Sequence, residues 1–324
     1  MQKVIVICGP TASGKTALSI ELAKRINGEV VSADSMQIYD EMSIGTAKPD
    51  EEEMQGIKHY LIGNVSPTTR YSVSDYKSDA MNAIEEIINK NKMPIVVGGT
   101  GLYVNSLIYG IDYPEVKTDL EYREKLEKIA KKEGLKHLYE KAMQIDPEAA
   151  KNISENDKKR IIRILEIYKE TGKTKTQLEI ESRKNGVPYD YRVFAINMPR
   201  EILYDRINRR VDIMIERGLI DEVKQLYEKY GEELRTAVQG IGYKEVIDYL
   251  NGVYSKEEMV EKIKMETRRY AKRQLTWFRK IQDIIWIDGL NDIQNNVDII
   301  LEEIKSEKHW IWYRKRGKYR KKKN

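Results

Sequence analysis

The chain opens with an unbroken β-branched run, Val4 to Ile7, the pattern of a strand buried on both faces of a parallel sheet. A glycine-rich stretch, Gly9 to Thr16, interrupts it, and Ala17, Leu18, Ile20, Leu22 and Ala23 then recur at helical spacing. Glu29 to Asp34 predicts a second short strand that ends in a carboxylate. Val73 to Asn91 predicts a helix with Ala80, Ala83, Ile84, Ile87 and Ile88 along one side. Ile95 to Val97 predicts a third strand, broken at Gly98-Gly99 and followed by another loop and helix. Strands alternating with helices imply a parallel, doubly wound sheet. Ligands of such sheets lie beyond the carboxyl ends of the strands. The glycine loop, Asp34 with its neighbours, and Gly98 to Gly101 are therefore expected to converge on one site.

The rhythm changes after about Tyr113. Leu120–Lys132 and Leu135–Met143 have the pattern of charged amphipathic helices, and Asn156-Asp157 is a fitting cap for a helix over Lys158–Thr171 that stops at Gly172. Strand character returns at Arg192–Met198 and again at Ile284–Ile287. The expected fold is α/β, a P-loop-type doubly wound parallel sheet with an inserted all-helical domain. The expected division is a first core part at 1–112, the helical insertion at 113–191, a second core part at 192–307 and a basic tail at 308–324.

Composition narrows the setting. Charged residues make up 34% and hydrophobic ones 40% of the 324 positions, enough for a buried core. No apolar run approaches the ~20 residues of a membrane span. The first strand begins at once, so no signal peptide is expected, and the lone Cys8 fits a reducing cytoplasm and a small buried residue beside the loop. One Cys with His59, His137 and His309 excludes a zinc finger. From Lys308 to Asn324 there are nine Lys/Arg and no Asp/Glu, so the net +5 leaves −4 for the rest. Trp310, Trp312, Tyr313 and Tyr319 interleave those cations, a combination that suits either RNA contact or a solubilising end.

The glycine loop carries the clearest chemistry. Gly9, Pro10, Thr11, Ala12, Ser13, Gly14, Lys15 and Thr16 match G-x-x-x-x-G-K-[ST] between a strand and a helix, the context in which backbone N–H groups cradle phosphates. Lys15 is expected to reach terminal phosphate oxygens and the Thr16 hydroxyl to ligate Mg²⁺. Nucleotide hydrolases usually add a strand ending in Asp, yet here the third strand ends in glycines. Asp34 is the carboxylate at a strand end near the site, placed to take a proton from a nucleophile. Arg206 and Arg210, one helical turn apart, could clamp a leaving pyrophosphate or pair with local carboxylates. Lys159, Arg160 and Arg163 could follow a nucleic-acid backbone or face water. From these residues alone, an ATP-dependent kinase of a small metabolite or nucleotide and an RNA-binding nucleotide switch both stay open.

In order along the chain, GPTASGKT, SADSMQIY with MSIGTAKP, VVGGTGLY, NDKKRIIRILEIYKETGK, the Arg206–Val223 helical stretch and QGIGYKEV resemble the tRNA dimethylallyltransferases of bacteria. The resemblance runs to about Trp277, without the zinc finger of eukaryotic relatives. It implies that the loop holds dimethylallyl pyrophosphate with Mg²⁺. It also implies transfer of the prenyl group to N6 of adenosine 37 in the tRNA anticodon stem-loop, by a monomer. Asp34 would be the base, Thr100 a second active-site hydroxyl, and Arg206 with Arg210 the pyrophosphate clamp. Asp34, Ser35, Met36, Gln37 and Thr100 would face the tRNA. So would Lys159, Arg160, Ile161, Ile162 and Arg163, and Gln239, Gly242, Tyr243 and Lys244. Lys159 stands where the family carries Gln, and Gln239 where relatives often carry Arg. Adenylate isopentenyltransferases, which act on free AMP, would not need such an insertion.

Overall fold

The computed structural model describes residues 1–113, 119–184, 186–234 and 237–306. The basic tail lies outside them. In chain order the first elements are β1 (Lys3–Cys8), α1 (Lys15–Ile26), β2 (Gly28–Ser32), α2 (Glu51–Met54), β3 (His59–Tyr60), α3 (Val73–Asn89), β4 (Met93–Gly98) and α4 (Gly101–Ile108). A helical stretch follows: α5 (Leu120–Glu133), α6 (Leu135–Ile145), α7 (Pro147–Lys151), α8 (Lys158–Thr171) and α9 (Lys175–Lys184). The chain then forms β5 (Asp190–Asn197), α10 (Arg200–Glu216), α11 (Leu219–Tyr230), α12 (Tyr243–Leu250), α13 (Lys256–Phe278), β6 (Ile285–Asp288) and α14 (Ile293–Lys305).

These elements form two compact units. The first contains Met1–Tyr71, Asp79–Val104 and the described residues from Tyr189 onward. Its six strands are all parallel, in the order β3-β2-β4-β1-β5-β6. Because β1 and β4 are central, their apolar runs are covered on both faces: Ile5, Ile7 and Ile95 are fully buried, with Leu22 of α1 and Phe194 of β5 packed into the same core. Register sets the site. Cys8 lies level with Gly98 and with Ala195, so the loops that leave β1 and β4 start at the same height. Beyond β2, Ala33 donates its N–H to the Val97 carbonyl at 2.7 Å. A Cβ on Gly98 would stand 2.1 Å from the Ala33 carbonyl oxygen, so the close approach of these two strand ends requires glycine there.

The second unit is helical and comprises Ser72–Ser78 with the described residues of Asn105–Pro188. Leu126, Leu138, Ala142, Ile161 and Leu165 form its core. Asp157 caps α8 by accepting the Arg160 N–H at 3.1 Å, and Gly172 ends it in a left-handed conformation. The long stretch of this unit starts at Asn105 rather than near Tyr113, and the unit also includes the start of α3, to Ser78. Lys77 explains why: its ammonium donates to the Gly110 carbonyl at 3.0 Å and pairs with Asp112 at 2.5 Å. Tyr189 to Tyr191 belong instead with the sheet, where Asp190 and Tyr191 pair with Lys3 and Val4. The periodicity also missed β3, whose two residues, His59 and Tyr60, are too few to show an alternation. No helix among the described residues is long and apolar enough to cross a membrane.

Candidate active site

The phosphate-type loop joins β1 to α1. Gly14 is left-handed, with φ 92, and no side chain caps the N-terminus of α1, so its first N–H groups remain open to an anion. Within the loop, Ser13 Oγ is buried and has no hydrogen-bond partner. Lys15 curls back so that Nζ donates to the Pro10 carbonyl at 2.7 Å. Burial, and then the nearby Arg210 guanidinium, push the Lys15 ammonium down to about 8, with Asp34 acting in the opposite sense. Thr16 is exposed beside it. Cys8 is buried, donates to the Phe194 carbonyl at 3.3 Å, and is pushed up to about 12 by burial, which makes it an inert packing residue.

Asp34 follows β2 and starts a tight turn, its Oδ1 accepting the Met36 N–H at 2.9 Å and the Gln37 N–H at 3.3 Å. Thr100 meets it from the β4 side. Its N–H donates to the Ala33 carbonyl at 3.1 Å, and its Oγ1 accepts the Ser35 N–H at 3.0 Å. Tyr270 of α13 hydrogen-bonds with Thr100, and burial followed by the Asp34 charge pushes its hydroxyl up to about 12. That group stays protonated at neutral pH. Arg210 comes from α10: burial lowers its guanidinium from the usual range, Asp34 and then Glu53 oppose the shift, and Nη2 reaches the Ala47 carbonyl at 3.5 Å. One carboxylate and two cations, Asp34, Lys15 and Arg210, thus share a single electrostatic neighbourhood.

The segment after Asp34 is held by its own polar groups. Gln37 Nε2 donates to the Thr46 and Ala47 carbonyls at 3.2 and 3.1 Å, so this side chain shapes the loop. Glu222 of α11 accepts the N–H groups of Ser43, Ile44 and Gly45 at 2.9, 2.7 and 3.1 Å. Tyr243 donates its hydroxyl to the same carboxylate at 2.6 Å. Met36 lies against Gly240, which brings the Asp34–Gln37 turn beside the Gln239–Lys244 segment.

The other expected site residues differ in exposure. Ile161 and Ile162 are buried in the helical core at 0% and 2% exposure, because the apolar stripe of α8 turns inward. Their side chains are packing, while Lys159 and Arg160 on the same helix are exposed. Arg163 lies 3.8 Å from the buried carboxylate of Glu166. Tyr243 is buried at 3% and works on the loop through Glu222; Gly242 is buried as well and caps α12, donating its N–H to Glu245 at 2.8 Å. Lys244 and Gln239 are exposed. Of the two arginines on α10, Arg210 is buried near Lys15 and Asp34, while Arg206, one turn earlier, is exposed. Arg209 pairs with Asp205 at 2.7 Å.

Three further residues join the site without having been singled out: Tyr270, Gln274 and Glu222. The available signal for Gln274 is a polar residue on the otherwise apolar stripe of α13, in line with Met259, Ile263, Ala271 and Phe278.

The sequence and the fold both have known relatives. The sequence pattern of the IPP transferase family matches residues 37–281. A curated relative, the tRNA dimethylallyltransferase of Acetivibrio thermocellus, is 54% identical over 288 residues, covering 89% of this chain and 92% of its own. Among solved structures, the full-length tRNA isopentenylpyrophosphate transferase of Bacillus halodurans is 44% identical with a TM-score of 0.70, covering 94% of this chain and 96% of its own. A eukaryotic dimethylallyltransferase captured acting on tRNA superposes with a TM-score of 0.79 at 34% identity, over 94% of this chain and 80% of its own. The chain belongs to the IPP transferase family.

Proposed function

We propose that the protein transfers the dimethylallyl group of dimethylallyl pyrophosphate to N6 of adenosine 37 in the anticodon stem-loop of tRNA. The observation that carries this reading is the shared neighbourhood of Lys15, Arg210 and Asp34, a phosphate-binding end set beside a carboxylate. A kinase would use the same two halves, a phosphate site and a carboxylate that takes the proton of its acceptor. Family membership favours prenyl transfer over the kinase reading.

The residues divide by charge. The loop N–H groups, the buried Ser13 hydroxyl and Lys15 suit a pyrophosphate, and Arg210 adds a second cation as the leaving charge develops. As the adenine amine forms its bond to the prenyl carbon, the C–O bond to pyrophosphate breaks and the amine proton passes to Asp34. Oδ1 of Asp34 is engaged by two backbone N–H groups, so Oδ2 is the oxygen presented to that proton. Thr100 and Ser35, bonded to one another, border the same turn and suit the acceptor base.

Mg²⁺ fits this donor set. Thr16 offers one exposed hydroxyl, an oxygen donor beside the loop N–H groups. That suits an ion held chiefly by substrate phosphate oxygens and water. When bound, Mg²⁺ would neutralise charge on the departing pyrophosphate. The test is direct. The protein, Mg²⁺, unmodified tRNA and dimethylallyl pyrophosphate should yield N6-dimethylallyladenosine on nuclease digestion and mass spectrometry. Phosphoryl transfer from ATP, with no prenylated nucleoside, would overturn the proposal.

A further inference from the structure

We infer that Gln274 is a positioning residue that sets the spacing between the pyrophosphate end of the site and the acceptor end. This rests on the reaction proposed above. Gln274 lies on α13, one turn beyond Tyr270, and is 5% exposed. Its Oε1 accepts the Thr11 N–H of the phosphate loop at 2.9 Å. Its Nε2 donates to the Gly99 carbonyl at 2.9 Å. Both partners are backbone groups, one a donor and one an acceptor, so they define which way the amide faces. A single planar group therefore joins the loop after β1 to the loop after β4.

The consequence follows from what each loop carries. The first holds the groups for the leaving pyrophosphate. The second continues directly into Thr100, which is bonded to Ala33 and Ser35 on either side of Asp34. Parallel strands fix the heights of these loops but not the gap between them beyond the last paired residues, Cys8 and Gly98. Gln274 spans that gap. Donor carbon and attacking nitrogen must meet in line, and a misplacement of about 1 Å in such a geometry costs on the order of 10²-fold in rate.

Gly99 supplies independent support. A Cβ there would lie 2.1 Å from Gln274 Nε2, with the next neighbour at 3.4 Å being another atom of the same side chain. The glycine thus leaves room for this one amide. Gly99→Ala should displace Gln274 and reproduce its loss.

The experiment is a double-mutant cycle read by single-turnover prenyl transfer with both substrates saturating. Gln274→Ala and Gly99→Ala should each slow the chemical step by about 10²-fold, with little change in the substrate concentrations needed for half-saturation. Combining them should cost hardly more than either alone. Gln274→Glu, which still accepts from Thr11 but cannot donate to Gly99, should stay slow with both substrates saturating, its carboxylate beside the phosphate loop also weakening pyrophosphate binding. Additive losses in the cycle, or a Gln274→Glu rate equal to the parent's, would overturn the inference. So would losses confined to half-saturation. If Gln274→Ala does not fold, Gln274→Glu and Gly99→Ala decide the matter alone. A parent protein that transfers no prenyl group would instead refute the reaction itself.

Discussion

Lys15 is strained by its own site, and Lys15→Met exposes the cost. The methionine keeps most of the stem and removes the charge. Burial, then Arg210, bring the ammonium from 10.5 to about 8, against the opposing pull of Asp34; at 1.36 kcal/mol per unit this disfavours the folded charged state by roughly 3 kcal/mol. The substitution also removes the bond from Nζ to the Pro10 carbonyl, worth about 1 kcal/mol. The ligand-free variant should therefore be more stable than its parent by roughly 2 kcal/mol near neutral pH, while losing affinity for pyrophosphate. The sign of the pH dependence is determined. Because the folded value lies below the unfolded one, the unfolded parent binds more protons between about pH 8 and 10.5, and its stability rises through that window. The variant's advantage should be complete below about pH 8 and gone above 10.5. Urea unfolding at a series of pH values, with calorimetric titration of pyrophosphate, measures both effects. A variant less stable than its parent at neutral pH, or one whose advantage persists at high pH, would refute the assignment of strain to this charge.

Three other outcomes follow from single contacts. Asp34→Asn retains an Oδ1 for the Met36 and Gln37 N–H groups but cannot take up a proton, so single-turnover transfer should fall by about 10²–10⁴-fold with both substrates still bound; an unchanged rate would remove Asp34 from the base role. Glu222→Ala leaves the Ser43, Ile44 and Gly45 N–H groups and the Tyr243 hydroxyl without their shared acceptor. Hydrogen exchange should rise selectively at residues 43–45, and tRNA affinity should drop before pyrophosphate affinity does. Arg160→Ala removes an exposed cation on α8; if it meets a phosphate, the slope of log affinity for tRNA against log salt should lessen by about one, with the saturated rate unchanged.

The local pattern was sufficient for the parallel sheet and the phosphate loop, because both depend on short-range features. A β-branched run buried on two faces, glycines at loop positions and a helix directly after them constrain one another within about one βα unit. The same holds for α8, whose start at Asp157 and stop at Gly172 are capping chemistry written in adjacent residues. What remained hidden is long-range. Ile161 and Ile162 sit in a stretch that follows the family pattern, but only packing of α8 against its neighbours shows that they turn inward while Lys159 and Arg160 do not. Arg206 and Arg210 are equivalent by spacing; the fold alone buries Arg210 near Asp34 and leaves Arg206 in water. Gln274 and Glu222 lie far along the chain from the loops they hold, Thr11 and Ser43 respectively. Sequence periodicity reports which side of a helix is buried, whereas the partner of a buried polar group is chosen by the chain segment that tertiary packing brings against it.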